Sequence, residues 1–153
     1  MMKKIARNIG ETKKIAKIFL QKILKSGGLK KNAKVVCLSG NLGSGKTALV
    51  KEIAKHLGIK HKIKSPTFVI MKKYLLKNKY HKFLFHLDAY RLKEEKELSY
   101  LGWEEIVGNK DHLVFIEWPE NVSKIIPFHA HNIFISIKNK QGHRNFELKK
   151  WKK

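Results

Sequence analysis

Residues 35–58 read Val35-Val36-Cys37-Leu38-Ser39, then Gly40-Asn41-Leu42-Gly43-Ser44-Gly45-Lys46-Thr47, then Ala48-Leu49-Val50-Lys51-Glu52-Ile53-Ala54-Lys55-His56-Leu57-Gly58. The middle eight residues match the phosphate-binding loop pattern GxxxxGK[ST] in full. An apolar run precedes this P-loop and an amphipathic helical pattern follows it, so the loop is predicted to join a buried strand to a helix N-terminus. The sequence therefore predicts a binding site for a nucleoside triphosphate.

The residue types in the loop suit this chemistry. Glycines let successive backbone N–H groups turn toward the β-phosphate, Lys46 supplies a charge for the β and γ oxygens, and the Thr47 hydroxyl is placed to ligate Mg²⁺. The alternative is a chance match in a lysine-rich chain, which the flanking strand and helix patterns disfavour. We expect nucleotide contacts from Leu42, Gly43, Ser44, Gly45, Lys46 and Thr47.

The composition indicates a single basic domain. A chain of 153 residues is long enough for one core, and its length argues against a two-domain enzyme. The formal net charge of +22 is typical of proteins that bind nucleic acid. However, only Arg7, Arg91 and Arg144 are arginines, and the lysines are spread along the whole chain, which favours a compositional bias over a specific RNA site.

Cys37 is the only cysteine, so a disulfide within the chain is excluded and a buried thiol is expected. The N-terminal residues lack an apolar stretch of signal-peptide length, and no run approaches the length of a membrane span. We therefore expect a cytoplasmic protein without a membrane segment.

The remaining patterns predict an α/β fold. Helices are predicted over residues 12–24 and 93–100, a buried strand over 112–116, and two hairpins, one pairing 68–76 with 82–87 and the other pairing 131–138 with 144–148. We predict one P-loop NTPase-like domain over residues 1–153, with a mixed sheet, helices on both faces and the phosphate site at the carboxyl ends of the strands. Residues 1–11 and 149–153 are expected to fray.

Two apolar runs end in an acid, Asp88 after residues 83–87 and Glu117 after residues 113–116. A P-loop needs an acid on another strand to hold Mg²⁺ directly or through water. Periodicity does not assign which carboxylate touches the metal and which orients the attacking water. A solvated turn residue is the alternative for each, although acids are scarce, with 12 in the chain.

Three further motifs follow the P-loop in order: Ser65-Pro66-Thr67-Phe68, His86-Leu87-Asp88-Ala89-Tyr90-Arg91-Leu92 and Ile116-Glu117-Trp118-Pro119-Glu120. With these motifs, residues 12–122 resemble the TsaE (YjeE) family, the P-loop ATPase component of bacterial tRNA threonylcarbamoyladenosine biosynthesis. The resemblance implies a Mg²⁺-dependent ATPase that cycles between ATP and ADP states to support partners similar to TsaD and TsaB, with any contact to tRNA indirect.

The resemblance also implies roles for individual residues. Thr47 and Glu117 are expected to bind Mg²⁺, and Asp88 is expected to be needed for activity together with Lys46 and Glu117. The segment Ser65-Pro66-Thr67 resembles a loop that responds to the γ-phosphate, so Thr67 joins the nucleotide site. Thr12 corresponds to a threonine near the nucleotide base. The chain departs from the family at Ala48, where a second threonine commonly follows and its hydroxyl can reach the α-phosphate.

Two other functions remain open at this point, a P-loop small-molecule or nucleotide kinase and a nucleotide-binding regulatory module without significant turnover. Two residues in the motifs also have open roles. His86 either senses phosphate or protonation near Asp88 or is a packed, hydrogen-bonded histidine. Arg91 either faces a phosphate or forms a salt bridge to the acidic stretch at residues 94–95.

Overall fold

A computed structural model describes residues 1–26, 31–60, 63–77, 80–138 and 141–152. Its seven strands are β1 (Met2–Ala6), β2 (Lys34–Ser39), β3 (Met71–Leu75), β4 (Phe83–Asp88), β5 (His112–Glu117), β6 (His131–Ile137) and β7 (Arg144–Lys150). The helices are α1 (Ile9–Lys25), α2 (Lys46–His56), α3 (Lys96–Ser99) and α4 (Trp103–Val107), with a 3-10 helix at Pro119–Ile125.

The strands form one mixed sheet in the order β1-β7-β6-β2-β5-β4-β3. Its centre is parallel, because β2 pairs with β5 and β6 and β5 pairs with β4 in the same direction. Both edges are antiparallel. At one edge β3 pairs with β4, and at the other β7 pairs with β6 and with β1. The predicted mixed sheet and both predicted hairpins are therefore confirmed.

Helices cover both faces of this sheet, as predicted. Alternate residues of β2 enter two different cores, Val36 and Leu38 on one face and Val35 and Cys37 on the other. The first core is completed by α1 and α2, and the second by α3, α4 and the 3-10 helix. Because parallel central strands are covered on both sides, β2 is apolar at consecutive positions rather than at alternate ones.

The N-terminal residues form β1 and the start of α1, contrary to the expectation that they fray. The strand β1 pairs with β7 from Met2 opposite Leu148 to Ala6 opposite Arg144, so ladder hydrogen bonds fix this end of the chain. The helix α1 begins earlier than predicted, because the Asn8 side chain caps it by accepting a hydrogen bond of 2.9 Å from the Glu11 backbone N–H.

The expectation of fraying after residue 148 is also wrong for the described residues. The strand β7 continues to Lys150, and the backbone N–H of Trp151 donates to the Ala130 carbonyl at 2.9 Å. Residue 153 lies outside the described residues. The predicted helix at 93–100 shortens to α3 at Lys96–Ser99. Within the described ranges, no helix is both long enough and apolar enough to span a membrane.

Candidate functional site

The P-loop connects β2 to α2, and its glycines adopt backbone conformations that other residues rarely take. Gly40, Gly43 and Gly45 all have positive φ, at 140°, 75° and 106°. A Cβ atom on Gly40 would lie 2.2 Å from the Ile135 carbonyl oxygen of β6, so only glycine fits there. The N-cap residue of α2 is Gly45, which has no side chain to cap the helix, so the first N–H groups and the positive end of the helix dipole are available for an anion.

Lys46 is the first residue of α2, and its side chain folds back over the loop. It is 5% exposed, and Nζ donates to the carbonyls of Gly40 at 2.7 Å and Asn41 at 3.1 Å. The same Nζ lies 3.9 Å from the centre of the Trp118 ring, in cation–π contact. Burial lowers the pKa of Lys46, and the nearby carboxylate of Glu117 partly opposes that shift.

The side chains of Thr47 and Glu117 are hydrogen-bonded to each other. The Thr47 hydroxyl donates to the Glu117 carboxylate and lies 2.8 Å from Oε1 and 3.1 Å from Oε2. Sheet register produces this contact, since Glu117 at the end of β5 lies beside Leu38 of β2, two residues before the loop. His86 of β4 supplies a second contact, with Nε2 2.8 Å from Oε1 of Glu117.

Asp88 lies beside Glu117, because the two residues pair directly at the ends of β4 and β5. Its Oδ2 accepts a hydrogen bond of 2.5 Å from the Thr67 hydroxyl, and its Oδ1 accepts one of 2.9 Å from the Tyr90 backbone N–H. Both carboxylates are 3% exposed, so the alternative of solvated turn residues is wrong for each of them.

These residues surround one cavity of about 350 Å³. The P-loop, the segment that carries Thr67 and the two acidic strand ends all contribute to its lining. Of the residues predicted for nucleotide, metal or catalysis, the lining includes Leu42, Gly43, Gly45, Lys46, Thr47, Thr67, Asp88 and Glu117. Ser44 is buried within the loop, and its hydroxyl finds no hydrogen-bond partner in the described part of the chain.

Thr12 lines a second, smaller cavity of about 110 Å³. Gly45 and Ala48 belong to the linings of both cavities, so the two cavities adjoin at these residues. Its hydroxyl donates to the Asn8 carbonyl at 3.2 Å, and the residue is buried. The structure thus brings Thr12 near the P-loop but not into the cavity that holds the two carboxylates.

Sequence reasoning missed Arg144, which begins β7. Its Nε donates to the Ser44 carbonyl at 2.9 Å, and a Cβ on Gly45 would lie 3.1 Å from the same nitrogen. The contact joins residues 100 positions apart, which no local pattern reports. The available signal was that Arg144 is one of three arginines in a lysine-rich chain and the only one that begins a predicted strand.

Arg91 and Phe68 form a pair outside the cavity. The guanidinium carbon of Arg91 lies 4.5 Å from the centre of the Phe68 ring, a contact that differs from both roles considered for Arg91. Phe68 is 83% exposed and belongs to a turn, so the predicted strand at 68–76 is shorter, at Met71–Leu75. Ile70 ends that turn with φ of 63°, which a β-branched residue rarely adopts.

Comparisons with known proteins find similarity over most of the chain. The family model described as "Threonylcarbamoyl adenosine biosynthesis protein TsaE" matches residues 6–146. A tRNA threonylcarbamoyladenosine biosynthesis protein TsaE from Rickettsia felis is 37% identical over 140 residues, which cover 90% of this chain and 75% of the relative. A protein of the same name from Bacillus subtilis is 35% identical over 120 residues, covering 78% and 68%.

A solved structure supports the same fold. The crystal structure of Bacillus subtilis YdiB superimposes on this chain with a TM-score of 0.72 at 28% sequence identity. The superposition covers 95% of this chain and 82% of that one.

Proposed function

The chain belongs to the TsaE family of threonylcarbamoyl adenosine biosynthesis proteins, and from that premise we propose that it is a Mg²⁺-dependent ATPase acting in the threonylcarbamoyladenosine modification of tRNA. In this proposal it binds ATP in the cytoplasm and cycles between ATP and ADP states in support of TsaD-like and TsaB-like subunits. It contacts tRNA only indirectly, and the adenosine next to the anticodon is modified by those subunits.

The observation that carries the proposal is the contact between Thr47 and Glu117 at 2.8 Å. A P-loop hydroxyl and a buried carboxylate from a neighbouring strand offer the hard oxygen donors that Mg²⁺ requires. These two residues would hold the ion, and the bound ion would neutralise charge on the phosphate oxygens. The donor set fits the ion, because Thr47 and Glu117 both line the cavity and both offer oxygen atoms, one of them from a carboxylate.

Lys46 has a separate task in this proposal. Its ammonium group rests on the Gly40 and Asn41 carbonyls and on the Trp118 ring, all of which border the cavity or the loop. The phosphates of ATP offer stronger partners than neutral carbonyls, so Lys46 is expected to turn toward them. Its charge then stabilises the negative charge that develops during phosphoryl transfer, in a site that excludes water.

Asp88 is assigned to the attacking water or to the segment that carries Thr67. It does not contact Thr47, and its two oxygens accept from Thr67 and Tyr90 instead. Because Thr67 also borders the cavity, an ATP-dependent rearrangement there would reach Asp88 and the adjoining surface together. The ATP form, but not the nucleotide-free form, is therefore expected to join the TsaD-like and TsaB-like subunits.

The test uses Lys46→Ala, with Lys51→Ala on the same helix as the matched control. Phosphate release is measured with Mg-ATP, with and without the partner subunits, and Tm checks the fold. The unaltered chain alone should turn over well below about one ATP per second, and partners should accelerate it, because groups supplied in trans typically add about 10³–10⁵. Lys46→Ala should abolish this activity and leave Tm near that of the parent.

The same assays separate the other two functions. Phosphoryl transfer to nucleosides, nucleotides or small molecules would indicate a kinase. Nucleotide binding without phosphate release, even with partners present, would indicate a regulatory module. Parental phosphate release by Lys46→Ala in the presence of partners would contradict the proposed site.

A further inference from the structure

His86 is a buried histidine that the P-loop chemistry does not itself require. It is 0% exposed and lies on β4 two residues before Asp88, so both side chains point to the face of the sheet that carries α1 and α2. Its Nε2 lies 2.8 Å from Oε1 of Glu117. Since an ionised carboxylate has no hydrogen to give, Nε2 carries the hydrogen of this bond.

The other ring nitrogen of His86 makes no polar contact with the described residues. Nδ1 is buried and has no hydrogen-bond partner among the residues that the structure describes. A buried polar atom without a partner costs free energy that an aliphatic side chain would not. Among the described residues, the polar contact of the imidazole is therefore the one from Nε2 to Glu117.

The two donors to Glu117 act on its carboxylate differently. The Thr47 hydroxyl lies within hydrogen-bond distance of both oxygens, at 2.8 Å and 3.1 Å, and so does not distinguish them. The recorded contact of His86 is with Oε1 alone. A donor on one oxygen limits the rotation of the carboxylate, and Oε2, which has only the longer contact with Thr47 at 3.1 Å, is the oxygen more available to a cation.

We infer that His86 is a positioning residue for the metal site, which holds the Glu117 carboxylate in the orientation that receives Mg²⁺ with the nucleotide. This inference rests on the proposed function. Groups that hydrogen-bond a metal-ligating side chain typically change metal affinity by about 10- to 100-fold when they are removed. A merely structural histidine would instead affect stability without changing the response to Mg²⁺.

The experiment measures ADP affinity by calorimetry across a range of Mg²⁺ concentrations and in EDTA, because ADP is not hydrolysed during the measurement. In His86→Leu, the Mg²⁺ concentration that gives half of the effect should rise by about 10- to 100-fold. ADP affinity in EDTA should stay within about twofold of the parent, since the P-loop itself is intact. Leucine also removes the unpartnered nitrogen, which limits the loss of Tm.

Two matched variants test whether the effect depends on the N–H donor of His86. His86→Gln places an N–H near the position of Nε2 and should restore the Mg²⁺ response to within about threefold of the parent. His112→Leu removes a histidine at the opposite end of the adjacent strand β5, where Nδ1 contacts the Ile106 carbonyl at 2.9 Å. That change should leave the Mg²⁺ response unaltered.

A double variant tests whether His86 acts through Glu117. In a Glu117→Gln background, adding His86→Leu should cause no further change in the Mg²⁺ response, because residues that act through one group are not additive. The inference is overturned if His86→Leu leaves the Mg²⁺ response unchanged, or if His86→Gln fails to restore it. It is also overturned if the losses in the double variant are additive, or if His86→Leu weakens ADP binding equally in EDTA. If the unaltered chain shows no Mg²⁺ effect on ADP binding, the proposed function itself fails, and this inference fails with it.

Discussion

The Thr67 hydroxyl donates a hydrogen bond of 2.5 Å to Oδ2 of Asp88 and also lies 2.7 Å from the Ser65 hydroxyl. A backbone bond of 2.8 Å from the Asp88 N–H to the Ile70 carbonyl fixes the same segment at its other end. Ile70 adopts a φ of 63°, an unfavourable conformation for a β-branched residue. The segment before β3 is thus held against the end of β4 by its contacts with Asp88.

Thr67→Val should lower ATP affinity more than ADP affinity and reduce turnover by about tenfold. Valine keeps the shape of the side chain but removes the donor to Asp88, and a hydrogen bond to a charged group contributes about 1.5–3 kcal/mol. Calorimetry with ADP and a slowly hydrolysed ATP analogue measures the difference, and phosphate release measures turnover. Thr67→Ser retains the hydroxyl and should behave like the parent. Equal weakening of both nucleotides in Thr67→Val would contradict a role specific to the γ-phosphate.

Glu117→Gln and Asp88→Asn should have different effects on Mg²⁺. Glutamine removes the charge beside the Thr47 hydroxyl, so Glu117→Gln should need at least about 100-fold more Mg²⁺ for the same nucleotide affinity, no less than the change expected for His86→Leu. Asp88→Asn should bind nucleotide normally and lose turnover, because its contacts are with Thr67 and Tyr90. Titrating Mg²⁺ against both binding and phosphate release tests this division of roles. Identical profiles for the two variants, or the reverse assignment, would refute it.

Arg144→Ala should weaken the binding of ATP and ADP by about tenfold each. The Arg144 side chain holds the Ser44 carbonyl at 2.9 Å, and loss of a hydrogen bond from a charged group typically costs about 1.5–3 kcal/mol. Because the loop is common to both nucleotides, their relative affinity should not change. Calorimetry provides the measurement, and Arg91→Ala is the matched loss of an arginine outside the cavity. If Arg144→Ala and Arg91→Ala bind nucleotide equally well, Arg144 does not support the loop.

His131 should make the protein less stable in mild acid. Burial, followed by the charges of Lys150 and Lys34, lowers the pKa of His131 to about 4, below its ordinary value of 6.5. Between these values the unfolded chain binds more protons than the folded one, so stability falls as pH falls from 6.5 to 4 and is unaffected by this group above 6.5.

The measurement is Tm from pH 7.5 to 4.5, and the fall across this range should be smaller in His131→Gln than in the parent. Glutamine can still reach the Ser26 hydroxyl, which lies 2.8 Å from Nε2 of His131. His56→Gln, which removes a partly exposed histidine at the last position of α2, is the matched control. Parallel Tm curves for His131→Gln and the parent would show that His131 does not contribute to the pH dependence.

Most of the fold could be predicted from patterns that are local in the chain. The P-loop between an apolar run and a helical pattern identified β2 and α2, and Gly142 between two alternating stretches identified the hairpin of β6 and β7. Asp88 and Glu117 could be placed at strand ends because each directly follows an apolar run. The elements that were missed depend on distant partners. The strand β1 has little apolar pattern of its own and forms because β7 offers an unpaired edge.

Local chemistry in the sequence was therefore enough to identify a P-loop domain and the family, and to predict which residues meet phosphate and metal. It could not assign partners to His86 and Arg144, whose contacts join residues 31 and 100 positions apart. A parallel sheet brings its carboxyl strand ends together through crossovers, and the resulting neighbours depend on strand order and register. For that reason the bond from His86 to Glu117, and the support of the P-loop by Arg144, follow only from how β4, β5 and β7 assemble.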